Sequence, residues 1–283
     1  MRPGAASFPR VSAILFVGDI VASAGRRTLK ALLPGLRTEL GLDFVVANGE
    51  NAAGGVGITP KHADELFAAG VDVITLGNHT YRHREVWRYL DTQPYILRPA
   101  NFMRSQPGRG TCVFERDGVS LGVVNLSGNL FMQTASPAFT TIDDALREVA
   151  GADHVLVDMH AEATSEKVAM GWFLDGRVTA VVGTHTHVPT ADARVLPGGT
   201  AYITDVGMTG PRGGVIGVKR EQSISVFRSH MPMRYDASDV DPWLMAVVIR
   251  TASGSRPSGA ESIEAILRPE SSATNASGRN QTR

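Results

Sequence analysis

The chain has 283 residues, 43% hydrophobic and 20% charged, ordinary proportions for a water-exposed globular protein able to bury a core without cross-links. Lysine plus arginine equal aspartate plus glutamate at 28 each, and this zero net charge argues against a general nucleic-acid coat. Cys112 is the only cysteine, which excludes an intrachain disulfide and a thiolate metal cluster and fits a reducing compartment. Two arginines precede an apolar stretch at 11–17, but Gly18 and Asp19 break it, so it reads as a strand and not as a secretory signal. No stretch approaches the length of a membrane span. The expected protein is soluble and cytoplasmic.

"AILFV" (13–17) reads as a buried strand ending at Gly18-Asp19. "GRRTLKALLPGLRTEL" places leucines at helical spacing, with a kink or shift expected at Pro34. "LDFVVANGEN" gives a second strand. "TPKHADELFAAG" gives a helix capped at Thr59-Pro60 and closed by Gly70. "VDVITLGNH" is a third strand and "REVWRYLD" a helix. Strands alternating with helices predict an α/β sheet, whose ligands gather beyond the carboxyl ends of the strands.

The middle continues the pattern. "TCVFERDGVSLGVVNL" reads as a hairpin turning at Asp117-Gly118, and "TTIDDALREVAG" as a capped helix. "DHVLVDMH" is a strand ending in His160, "SEKVAMGWFLDG" a helix, and "RVTAVVGTHTH" a strand with a polar end. "GTAYITDVG", "SISVFRS" and "PWLMAVVIRT" are expected to be strands of a second sheet. The expected architecture is a two-layer β-sheet core flanked by helices, in one domain over 1–268. Residues 269–283, polar and without periodicity, are expected to form a disordered tail.

Five strand ends carry residues able to hold a metal: Asp19; Glu50 and Asn51; Asn78 and His79; His160; His185 and His187. Each alone has an ordinary structural explanation as a turn, a cap or a satisfied core group. In a parallel sheet, however, all these ends face one rim. Oxygen and imidazole donors suit manganese, iron or zinc and disfavour copper(I) and iron–sulfur clusters. The set is too large for one ion and about enough for two, which a carboxylate such as Glu50 would bridge.

"GD" at 18–19, "NGEN" at 48–51, "GNH" at 77–79, His160 and "GTHTH" at 183–187 resemble the calcineurin-like metallophosphoesterases. The wider stretches "VVANGENAAGGVGIT" and "DMHAEATSEKVAMGWFLDGRVTAVVGTHTHVPTADARVLPGGTAYITDVGMTGP" are similar to the YmdB-like branch over most of 12–220. The resemblance implies the αββα sandwich of that superfamily and two divalent ions per chain, iron or manganese favoured, with zinc as the alternative. It implies that Asp19, Asn51 and His187 hold one ion, that Asn78, His160 and His185 hold the other, and that Glu50 bridges them. His79 then stays off the metals and faces the substrate. The first motif lacks the histidine usual in the superfamily, and Asn51 fills that role. After "GNHT" the branch has an aromatic residue and an acid; here Tyr81 precedes Arg82, a departure that bears on substrate contact at this loop.

The mechanism these parts allow is in-line attack on phosphorus by a hydroxide bridging the ions, with His79 as general acid. The resemblance implies phosphodiesterase activity on 2′,3′-cyclic nucleotides and a homo-oligomer. The rival readings are a general phosphatase, a one-metal amide hydrolase, and an RNA-associated regulatory or binding protein of low activity. Asp72 and Asp205 are candidates to orient a histidine, whereas Thr184 and Thr186 read as loop hydroxyls and not nucleophiles. Gly54, Gly55 and Gly57 read as backbone freedom near the metals. His62, His83 and His154 read as structural or surface groups, Trp172 and Phe173 as core, and Arg212, Lys219 and Arg220 as exposed charges.

Overall fold

The computed structural model describes residues 11–133, 136–252 and 256–273. In chain order its first elements are β1 (Ala13–Val17), β2 (Asp19–Ile20), α1 (Ala22–Leu40), β3 (Phe44–Asn48), α2 (Pro60–Ala68), β4 (Val73–Thr75), α3 (Glu85–Thr92) and β5 (Ile96–Leu97). Next come β6 (Thr111–Arg116), β7 (Val119–Ser127), α4 (Ala138–Glu148), β8 (His154–His160), α5 (Thr164–Phe173) and β9 (Ala180–Thr184). The last are β10 (Arg194–Val195), β11 (Ala201–Ile203), β12 (Met208–Pro211), α6 (Arg220–Ser229), β13 (Pro242–Thr251) and β14 (Ala260–Pro269).

Two sheets stack face to face. The first runs β2-β12-β13-β1-β3-β4-β5, with β14 paired to β13; the second runs β10-β11-β9-β8-β7-β6. The centres of both are parallel, β1-β3-β4-β5 in one and β7-β8-β9-β11 in the other. Alternation assigns each side chain to a layer. In β1, Ile14 and Phe16 enter the apolar layer between the sheets, where they join Leu156, Val182 and Ile203 of the second sheet. Ala13, Leu15 and Val17 face outward with the leucines of α1 and α2. Val155, Val157 and Met159 of β8 face outward over α4 and α5. Both faces of these strands are covered, so they read as unbroken apolar runs.

Several expectations need correction. Residues 223–229 lie in the helix α6 and not in a strand. The alternation of "SISVF" is misleading because Ile224 and Phe227 are exposed and mark no buried sheet face. β13 belongs to the first sheet, antiparallel between β1 and β14. Helix α1 continues through Pro34; the carbonyl at Lys30 that loses its partner there is on an exposed turn. Trp172 and Phe173 are 52% and 40% exposed, outside the core. The polar stretch expected to start a tail at 269 begins in the last residue of β14, and 274–283 lie outside the described residues. Among the described residues no helix is long and apolar enough to cross a membrane.

Candidate metal centre

At the carboxyl ends of the parallel strands the layer between the sheets turns from apolar to polar. Along the inward rows, Val46 is followed two positions later by Asn48, Val73 by Thr75, Val182 by Thr184, and Leu156 by Asp158 and His160. All five of these polar side chains are buried. Asp19 in β2, Glu50 and Asn51 after β3, and Asn78 and His79 after β4 close over them from the first sheet. Gly77 is required here, since a Cβ would overlap the His160 ring and the Glu50 carboxylate.

The expected ligands fall into two groups that meet at Glu50. In one, His160 Nε2 lies 3.1 Å from each of Asn78 Oδ1, Glu50 Oε1 and His185 Nδ1. In the other, His187 Nε2 is 3.0 Å from Asn51 Nδ2 and 3.8 Å from Asp19 Oδ1, and Asn51 Nδ2 is 3.3 Å from Glu50 Oε1. A half-turn of the Asn51 amide would present Oδ1, the atom a metal accepts, in place of Nδ2. His185 and His187 have φ of 98° and 66°, and these left-handed conformations turn their rings into different groups.

Each imidazole is held by an outer partner that fixes its tautomer. The Thr184 hydroxyl donates to Asp158 Oδ1 at 2.7 Å and so accepts from His160 Nδ1 at 2.9 Å. Asp158 also accepts from Thr75 Oγ1 at 2.5 Å and Asn48 Nδ2 at 3.1 Å. His185 Nε2 faces Glu162 Oε2 at 3.0 Å, and His187 Nδ1 donates to the Ile216 carbonyl at 2.9 Å. Between the two histidines, Thr186 donates to Asp205 Oδ2 from its N–H at 3.1 Å and from its hydroxyl at 2.7 Å. The same oxygen meets the buried Lys167 ammonium at 2.7 Å. Asp205 therefore acts on the loop between the histidines and not on a ring. Asp72 touches no histidine; it pairs with Arg37 and Arg116 ahead of β4.

This donor set fits cations. With protons on the outer nitrogens, His160 Nε2, His185 Nδ1, Asn78 Oδ1 and Glu50 Oε1 turn lone pairs toward one another. Donors at right angles around one ion bonded at about 2.1 Å lie about 3.0 Å apart, close to the spacing found. Asp19 Oδ1 is buried without a hydrogen-bond partner, which is costly for a carboxylate unless a positive charge faces it. Burial raises the pKa of Asp19, only partly offset by His187 and His160. Burial alone would lower the pKa of His160, but Glu50 and the neighbouring aspartates push it up to about 9: the carboxylates favour a positive charge here. Burial opposes ionisation of Glu50, but His160 and His79 hold its pKa well below the usual carboxylate range. Burial and the His160 charge lower His185 to about 3, so its imidazole is neutral at physiological pH.

His79 stands at the edge of this centre. Its N–H donates to Glu50 Oε2 at 3.1 Å, and its Nδ1 lies 3.0 Å from Asn51 Oδ1 and 3.2 Å from Glu50 Oε1. The side chain is 35% exposed, which leaves Nε2 for the cleft. His62 caps α2 with Thr59, His83 bonds the Val56 carbonyl, and His154 is buried against Ser258 and Ser12. Arg212 stacks over Trp243 at 4.5 Å, and the Arg82 N–H closes a turn on the His79 carbonyl. Sequence reasoning missed Asn48, Thr75, Asp158 and Lys167, and gave Thr184 no role beyond a loop hydroxyl. The signal for Asp158 was its position two residues before His160 on the same strand face.

A family model described as YmdB-like protein matches residues 15–266. A 2′,3′-cyclic-nucleotide 2′-phosphodiesterase from Bacillus subtilis is 46% identical over 237 residues, 83% of this chain and 90% of that protein. The crystal structure of a phosphatase from Mycoplasma pneumoniae superposes with a TM-score of 0.85 at 35% identity, covering 92% of this chain and 94% of that one. The calcineurin-like phosphoesterase YfkN from Bacillus subtilis shares the fold, with a TM-score of 0.56 at 13% identity over 95% of this chain and 96% of that one.

Proposed function

The chain belongs to the YmdB-like family, with the fold of the calcineurin-like phosphoesterases, and on that premise we propose that it hydrolyses 2′,3′-cyclic nucleotides at a two-ion centre. The observation that carries this reading is the convergence of lone-pair donors in two groups sharing Glu50. Asp19, Asn51 and His187 would hold one divalent ion and Asn78, His160 and His185 the other, with iron, manganese and zinc the metals this donor set suits. Bound there, the ions supply Lewis acidity, lowering the pKa of water and stabilising charge that develops on phosphate.

The chain's own residues supply the rest. Hydrolysis adds water across one P–O bond, oxygen to phosphorus and a proton to the departing ribose oxygen. His79 delivers that proton, held by Glu50 at both its backbone N–H and its ring Nδ1. Asn51, Asn78 and the imidazoles are neutral donors, so Asp19 and Glu50 leave the centre a positive surplus that attracts a phosphate anion. The domain expected over 1–268 serves this site as one unit, since both sheets supply it among the described residues.

The test measures hydrolysis of 2′,3′-cyclic AMP and bis-(p-nitrophenyl) phosphate, with metal counted on protein purified without chelator. Two ions per chain and turnover abolished by chelation are expected. Two ions without hydrolysis of either ester under any added metal would favour an RNA-associated binding protein instead. One ion per chain would overturn the two-ion centre.

A further inference from the structure

Two cavities flank the candidate centre and share His185. One, about 540 Å³, is lined by Asn78, Tyr81, Phe102 and Phe131. The other, about 400 Å³, is lined by Glu50, Asn51, His79 and His187 on one wall and by Ile216, Phe227 and Tyr235 on the other. Both fall within the range of small-molecule sites, about 300–1,000 Å³. The chemistry of the proposed reaction distinguishes them. In a 2′,3′-cyclic phosphate both ester oxygens belong to one nucleoside. The oxygen that leaves receives its proton from the acid, so the nucleoside lies on the acid's side of phosphorus. His79 lines the second cavity and not the first.

We propose that Phe227 and Tyr235 form the platform on which the nucleobase of the substrate stacks. This rests on the hydrolase reading and on His79 as its acid. Phe227 is 75% exposed and Tyr235 45%, so neither ring is committed to the core. Helix α6 buries only Ser223. Its remaining attachments hold the wall together: Gln222 Nε2 donates to Asp236 Oδ2 at 3.0 Å, and the Asp236 N–H donates to Gln222 Oε1 at 2.8 Å, which ties the Tyr235 segment to the Phe227 helix. The Ile216 carbonyl, accepting from His187 Nδ1, fastens the same wall to the centre. Stacking on aromatic faces is tolerant of base identity, so this subsite accepts purines and pyrimidines alike.

The experiment compares wild type with Phe227→Ala, Tyr235→Ala and, for the opposite cavity, Phe102→Ala. Substrates are 2′,3′-cyclic AMP and glycerol 1,2-cyclic phosphate, which has no base; binding of 3′-AMP is followed separately by calorimetry. Phe227→Ala and Tyr235→Ala should each raise KM for 2′,3′-cyclic AMP and Kd for 3′-AMP about tenfold, the loss of one stacking face, with kcat and the KM of the baseless substrate unmoved. Equal effects on both substrates, or a loss of 3′-AMP binding in Phe102→Ala alone, would overturn the platform. Wild type that hydrolyses neither cyclic ester with any metal sinks the hydrolase reading. The 3′-AMP titration still decides the subsite in that case: a tenfold loss in Phe227→Ala supports it, and no loss overturns it.

Discussion

The two sheets bring different chemistry to the same rim. The first supplies oxygen donors, Asp19 from β2 and Glu50, Asn51 and Asn78 from short turns after β3 and β4. The second supplies the imidazoles, His160, His185 and His187. A carboxylate brings its own charge and offers either oxygen. An imidazole must be told which nitrogen to present, and that instruction comes from other side chains. The second sheet accordingly carries the outer network: Asp158 with Thr184 behind His160, and Asp205 with Lys167 behind the loop at 185–187. The first-sheet donors set the charge of the centre, and the second-sheet donors depend on a frame.

That contrast can be broken at either side. The largest effect is expected at Glu50, which touches both ligand groups. Glu50→Ala should lose at least one ion and about 10⁴-fold in turnover, several kcal/mol of charge stabilisation; elemental analysis finding two ions per chain would refute the bridge. His79→Ala, also on the first sheet but off the metals, should retain both ions and lose about 10²–10⁴-fold in kcat. Unchanged kcat in that variant would remove the acid.

On the second sheet, Asp205→Asn leaves the Lys167 ammonium buried without its counter-charge and should cost about 3–5 kcal/mol in chemical denaturation. A loss below that range would mean the pair is solvated or dispensable. Asp158→Asn should weaken metal binding by about 10–100-fold in chelator competition while both ions can still be loaded at saturation. Equal affinity would show that His160 needs no second-sheet frame.

The smallest effect sharpens the contrast through pH. Asp192, just beyond the histidine loop, accepts from Thr190 and Thr204. Burial opposes its ionisation, but the hydrogen bonds from these threonines lower its pKa below the ordinary value. A carboxylate depressed in the folded state stabilises it above the unfolded pKa, and that contribution fades as pH falls through the folded value. Asp192→Asn should therefore cost about 1 kcal/mol at neutral pH. The gap in thermal midpoint should persist down to about pH 4 and close below it. A gap independent of pH would assign the effect to packing.

The sequence made the strand ends legible because Asp19, Glu50, Asn78, His160 and His185 each end an apolar run. Convergence followed from the parallel order of the strands. The frame behind the histidines was hidden for a physical reason. Asn48, Thr75, Asp158 and Thr184 come from four strands in two sheets, and no local pattern states that β3 and β8 will face each other. Lys167 on α5 meets Asp205 after β11, a pairing that exists only once the second sheet has formed. The wall bearing Phe227 was read as a strand because alternation was taken for burial. An exposed helix held by Gln222 and Asp236 carries no apolar stripe to give it away.

Glu50 and Asn51 come from one sheet and His160, His185 and His187 from the other, so the proposed ligand set is divided across the interface between them. Neither half of the chain could assemble the centre alone, and on a ribosome it cannot close before residue 187 has emerged. Metal capture at the proposed centre would then be a late step in the life of the chain. If ions bind only the docked sandwich, as the proposed centre requires, their binding free energy would add to its stability and not to that of any partly folded form. Metal supply in the cell would thus set how much of the newly made chain persists, as well as how much of it is active.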